Sequence, residues 1–96
     1  MLHLKGKRGL IMGVANERSI AWGIAKAMSN AGAQLAFTHQ GEAFGRRLQP
    51  LAESVRANLL LDVDVTNDAS LDRAFEKLQR SWGSLDFVVH LSLIHI

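Results

Sequence analysis

The chain contains the run Gly13-Val14-Ala15-Asn16-Glu17-Arg18-Ser19-Ile20-Ala21-Trp22-Gly23. This is not the G-x-G-x-x-G fingerprint of dinucleotide-binding loops. It still holds what a pyrophosphate group needs: a glycine permitting close backbone approach, a polar loop, and a helix starting near Ser19. The unpaired N–H groups and the dipole at such a helix start attract anions. Gly23 is placed to let that helix pack closely on a sheet. The same residues also fit an ordinary strand-to-helix turn with Ser19 as N-cap, and the spacing of glycines alone does not choose between the two.

Two later segments could contribute to the same chemistry. Thr38-His39-Gln40-Gly41-Glu42 stands where dinucleotide-binding chains often place an Asp or Glu against the adenosine ribose. No lysine or arginine lies between Thr38 and Phe44 to receive a 2′-phosphate, and Arg46 and Arg47 read as solvated helix residues. Asp62-Val63-Asp64-Val65 offers a carboxylate and a backbone N–H; Asp64 also fits a loop cap ahead of Asn67 and Asp68, because Asp and Asn bond their own local backbone in turns. Among the four histidines, His3 reads as a surface residue, His39 as a packing residue and His90 as a structural one at a strand end. His95 lies in a tail of unusual composition. No pair of them has metal-ligand spacing backed by carboxylates or thiolates, so no metal is expected.

Short buried strands and amphipathic helices must position these segments. Gly9 to Val14 is a continuous apolar run, as in strands covered on both faces. Ile20, Ile24, Ala27, Met28 and Ala31 recur at helical spacing, and Gly32 stops that helix. Ala33 to Thr38 reads as a second strand. Phe44, Leu48, Leu51 and Val55 predict a second helix, which Pro50 should kink or divide. Leu59 to Val63 is a third strand. Leu71, Ala74, Phe75, Leu78 and Trp82 share one face of a third helix, capped by Asp68 or Ser70 and ended by Gly83. Leu85 to His90 is a fourth strand. Trp22, Trp82, Phe75 and the methionines are expected in the core.

The order β-α-β-α-β-α-β implies right-handed crossovers and a parallel sheet with helices on both faces. The expectation is an α/β, Rossmann-like doubly wound sheet, first half only, with strand order 3-2-1-4. Residues 1–90 then form the amino-terminal part of a single dinucleotide-binding domain, and 91–96 an atypical tail.

Bulk properties exclude several classes. At 96 residues there is room for one domain. An apolar content of 48% with 21% charged residues is that of a globular chain and argues against disorder. A formal charge of +2, with basic residues scattered, lacks the basic stripe and aromatic platforms of a nucleic-acid binder. With no cysteine there is no disulfide framework or thiol catalyst, which fits a reducing cytoplasm. The start lacks a signal-peptide run, and no segment approaches the roughly 20 apolar residues of a membrane span.

The run from Lys7 through Gly13-Val-Ala-Asn-Glu-Arg-Ser-Ile-Ala-Trp-Gly23 resembles the opening of bacterial NADH-dependent enoyl-acyl-carrier-protein reductases, of the short-chain dehydrogenase superfamily. The likeness continues through Leu35-Ala-Phe-Thr-His-Gln-Gly-Glu-Ala, Pro50-Leu-Ala-Glu-Ser, Asp64-Val65 and Trp82-Gly-Ser-Leu-Asp-Phe-Val-Val-His90. It implies that Gly13, Ser19 and Ile20 hold the cofactor pyrophosphate, that Gln40 lies by the adenosine ribose, and that Asp64 and Val65 recognise adenine. It favours NADH over NADPH, enoyl-acyl carrier protein as substrate carrier, a homotetramer and a cytoplasmic location.

The departures carry consequences too. Where the family continues with small residues and Ile along the cofactor, this chain reads Leu91-Ser-Leu-Ile-His-Ile96, which suggests a truncated or frame-shifted reading. The family's Tyr and Lys, six residues apart, are not matched: there is no tyrosine, and the last lysine is Lys77. The acyl-binding lid is unmatched as well. No catalytic residue is therefore assigned, and the 96 residues alone are expected to be inactive, marginally stable and prone to aggregate through strand 4 and the tail. Alternatives are another short-chain dehydrogenase such as a ketoacyl reductase, whose T-G-x-x-x-G-x-G and N-N-A-G motifs are absent, or a non-catalytic nucleotide-binding remnant.

Overall fold

A computed structural model describes residues 4–90; the expectations for His3, His95 and the 91–96 tail lie outside them. Seven elements alternate: β1 (Arg8–Met12), α1 (Ile20–Asn30), β2 (Gln34–His39), α2 (Glu42–Ser54), β3 (Leu59–Asp62), α3 (Asp68–Trp82) and β4 (Phe87–His90). The strands form one sheet in the order β3-β2-β1-β4, and every pairing is parallel. This is the expected first half of a doubly wound fold, with strand limits shifted by one or two residues.

Side-chain alternation along the strands builds two cores. Ile11, Leu35 and Phe37 face α1 and α2, where they meet Ala21, Trp22, Ala25, Leu48 and Ala52. Leu10, Met12, Ala36, Leu61 and Val63 face the other way, onto Ala74 and Leu78 of α3. Burial on both faces explains why Gly9 to Val14, which includes most of β1, reads as a continuous apolar run.

The helices depart from expectation in three ways. First, α1 turns Ala21, Trp22 and Ala25 inward, while Ile20 stands 77% exposed. Two alanines four residues apart let α1 lie close to the sheet, and Trp22 fills the space beside Phe37 with ring centroids 6.0 Å apart. Gly23 points outward with nothing within 4 Å of a β-carbon built there, so it does not mediate that packing. Second, α2 is a single helix despite Pro50, which sits on the exposed side where water can replace the lost N–H. Its buried residues are Leu48 and Ala52, and Phe44 is 41% exposed. Third, the cap of α3 is Asn67, whose side chain accepts from the Ser70 N–H at 3.2 Å, and not Asp68 or Ser70. Phe75 is likewise 41% exposed and lies outside the core, because the sheet contacts of α3 run along Ser70, Ala74 and Leu78.

Gly32 closes α1 as expected. At φ 102° it lets its own N–H reach the Ser29 carbonyl and that of Ala33 reach the Met28 carbonyl, the paired bonds of a Schellman ending. At the opposite end of the sheet from the strand carboxyl termini, Arg8 ties four segments together. Its N–H donates to Asp86 Oδ2 at 2.8 Å and its carbonyl accepts from the Asp86 N–H at 2.8 Å. Its guanidinium bonds Gln34 and the Trp82 carbonyl.

Candidate nucleotide site

Parallel strands all end on one edge, and a cleft of about 420 Å³ opens there. That volume lies within the range of small-molecule sites. Met12, Gly13, Val14 and Ala15 border it from the end of β1, and Thr38, His39 and Gln40 from the end of β2. Val63 and Val65 follow β3, His90 ends β4, and Phe44 closes one side from α2. The cleft therefore spans the switch point between β1 and β4, where ligands of open parallel sheets bind.

The loop after β1 is shaped by its own backbone. Gly13 adopts φ 98°, a conformation costly for any residue with a β-carbon, and so turns the chain off the strand. Ser19 occupies the N-cap position of α1 but makes no side-chain cap bond. Its Oγ instead accepts from the N–H groups of Ala15 and Asn16 at 3.0 and 3.1 Å, folding the loop back onto the helix start. The Ser19 carbonyl takes the Trp22 and Gly23 N–H groups. No protein acceptor meets the Ile20 or Ala21 N–H among the described residues, so the positive end of α1 presents two open donors.

After β3, Asp64 Oδ1 accepts from both the N–H and the hydroxyl of Thr66, at 3.0 and 2.6 Å. The Thr66 hydroxyl first, and then its N–H, hold the Asp64 carboxyl below its ordinary range by stabilising the charged form. The Asp64 N–H donates to Ser70 Oγ, and its carbonyl accepts from Asn67. The loop-cap role foreseen for Asp64 is thus present on one oxygen.

Of the residues singled out by sequence, Gly13, Gln40 and Val65 border the cleft. Ser19, Ile20 and Asp64 do not line it: Ser19 braces the loop, Ile20 starts α1, and Asp64 organises the turn ahead of α3. Sequence reasoning missed Phe44 as a wall and Asp62, whose Oδ1 accepts from the Gly41 N–H at 3.0 Å. Phe44 was assigned to the apolar helix face, and a bond spanning 21 residues has no local signal. Among the described residues no group of three or more His, Asp or Glu could hold a metal ion. No helix there is long and apolar enough to cross a membrane.

Sheet order, strand-end cleft and open helix start together define a Rossmann-like α/β unit. The family model described as Enoyl-(Acyl carrier protein) reductase matches residues 13–93, and the chain belongs to that family. It is 56% identical over 87 residues to the enoyl-[acyl-carrier-protein] reductase [NADH] 2 of Rhizobium meliloti, covering 91% of this chain and 32% of that protein. Identity to the enoyl-[acyl-carrier-protein] reductase [NADH] FabI of Rickettsia felis is 45%, with 91% and 34% covered. Among solved structures, FabI from Candidatus Liberibacter asiaticus superposes with a TM-score of 0.89 at 55% identity, over 94% of this chain and 35% of that one. The reductase from Anaplasma phagocytophilum, solved in complex with NAD, gives a TM-score of 0.89 at 49% identity, over 93% and 34%. The chain spans about a third of the length of the curated relatives it matches. These relatives are enoyl reductases, as the resemblance implied, and not ketoacyl reductases.

Proposed function

We propose that this chain forms the adenosine and pyrophosphate half of the NADH site of an enoyl-acyl-carrier-protein reductase. The observation that carries the reading is the strand-end cleft bordered by Gly13, Gln40 and Val65, in a chain so similar to a reductase whose name specifies NADH. The fit is chemical as well as spatial. Two open N–H groups at the start of α1 suit a pyrophosphate, and Gly13 lets it approach the backbone.

In this reading Ile20 acts through its N–H, so its exposed side chain is no obstacle. Ser19 acts by holding the loop in shape. Gln40 meets the ribose, and Val65 and the Asp64 oxygen not engaged by Thr66 meet the adenine. When bound, the nicotinamide supplies the hydride that reaches the β-carbon of a trans-2-enoyl thioester. The chain's own residues hold and orient the adenosine end, and none is assigned to the chemical step. The acyl carrier protein as substrate carrier, a homotetramer and a cytoplasmic location belong to the same proposal and rest on the family likeness.

Calorimetric titration of the chain with NADH tests it. Saturable binding, weakened about tenfold in Asp64→Ala through loss of a charge-assisted bond, is expected. A folded chain that takes up no NADH would sink the reading.

A further inference from the structure

The end of β2 carries a construction that the assignments above leave unused. Gly41 is held at both of its polar groups: its N–H by Asp62 Oδ1 at 3.0 Å, and its carbonyl by His39 Nδ1 at 2.9 Å. His39 and Asp62 are register partners on β2 and β3, so their side chains leave the same face of the sheet as neighbours. The imidazole also lies over Gly45 of α2, where a β-carbon would come within 2.8 Å of its Cε1. Because Nδ1–H is committed to a carbonyl, Nε2 is the lone acceptor of the neutral ring. That ring borders the cleft beside Gln40 and Phe44.

In dinucleotide-binding sheets the end of the second strand reads the adenosine ribose, with an acid for a 2′-hydroxyl or an arginine for a 2′-phosphate. Here the strand ends on an imidazole, which can do either. Building on the cofactor site of the preceding section, we propose that His39 reads the 2′ position. Neutral, its Nε2 accepts from a 2′-hydroxyl; protonated, it donates to a 2′-phosphate, so discrimination against NADPH relaxes as pH falls.

The neighbouring charges set the contrast. Asp62 on β3 opposes a 2′-phosphate while the ring is neutral, and a protonated ring offsets that carboxylate. On α2, Glu42 pairs with Arg46 at 3.5 Å, and Arg47 lies over the Phe44 ring with its guanidinium carbon 5.8 Å from the centroid. His90 on β4 borders the same cleft. Imidazole is the side chain that ordinarily changes charge between about pH 5 and 8.

The test is calorimetric binding of NADH and NADPH to this chain at about pH 8 and about pH 6, with variants. The ratio of the NADPH Kd to the NADH Kd should fall about tenfold at the lower pH, about 1.4 kcal/mol. The 2′-phosphate titrates in the same interval, so His39→Gln supplies the baseline, and its ratio should stay within about twofold. Gly45→Ala keeps the imidazole but displaces the ring, and should lose most of the pH effect while still binding NADH. An equal fall in His39→Gln assigns the titration to His90 or to the ligand and overturns the proposal, as does a pH-independent ratio in the unaltered chain. Failure of the unaltered chain to bind NADH even at pH 8 overturns the cofactor reading itself, and this one with it.

Discussion

Asp64 shows how much of a residue's role is visible before folding. Its type and its place after a strand pointed to the ligand edge, and the Asp-x-Thr spacing is that of a local turn. The depressed titration of its carboxyl has a definite sign. A group lowered on folding contributes stability above its ordinary range and loses it as pH falls through the lowered value. Thr66→Val removes the larger cause and leaves the N–H bond, so the Asp64 carboxyl should titrate closer to 3.8, as carbon-detected NMR would read. An unmoved titration would discard that cause. Gly9 tells the opposite story. It looks like one more residue of an apolar run, but a methyl there would overlap the Phe87 ring of β4. Gly9→Ala should cost about 1–3 kcal/mol in a denaturant melt, because the ring must leave its packing. No spacing rule reveals that, since the two residues meet only through the β1–β4 register.

At the scale of elements, type and order were legible throughout, because apolar runs and helical spacing report burial directly. The faces of the helices were less so. Ile20 and Phe75 fall on apolar stripes yet are exposed, while Ala21 and Ala25 are buried, because contact with the sheet selects small residues that spacing arguments weigh lightly. Helix ends follow local chemistry more closely. Asn67 holds the Ser70 N–H, so Asn67→Ala should lower stability by about 1 kcal/mol. The end of α2 is less comfortable: Arg56 sits at φ 59°, a left-handed conformation, while Ala57 returns its N–H to Ala52. Arg56→Gly relieves that strain against a more flexible unfolded chain, and a net gain of about 0.5–1 kcal/mol is expected on melting. A loss would show that the arginine side chain contributes more than its backbone costs.

At the scale of the whole molecule, the sheet is not equally covered. Every residue of β4 is at least partly exposed, Val88 by 46%, whereas four residues of β1 and four of β2 are buried. The outer edge of β4 pairs with no other strand among the described residues. Such an edge recruits copies of itself, and a charge placed on it discourages this. Val88→Lys should therefore lower the apparent mass of the chain at high concentration in light scattering; no change would move the sticky surface elsewhere. The strand order was legible because connection rules leave few choices, whereas the Gly41 clamp was not, because it arises only after β2 and β3 align.

The Arg8–Asp86 pairing joins positions 78 apart in the chain. During synthesis β1 is made early, but its two neighbours in the sheet are β2 and β4, the latter completed only at residue 90. Leu10, Ile11 and Met12 therefore wait until β4 has been made before their second partner strand is available. Closing so long a loop is slow relative to local helix formation. The nascent polypeptide should pass through a stage with helices formed and its central strand half-clothed, which is the stage a chaperone would meet.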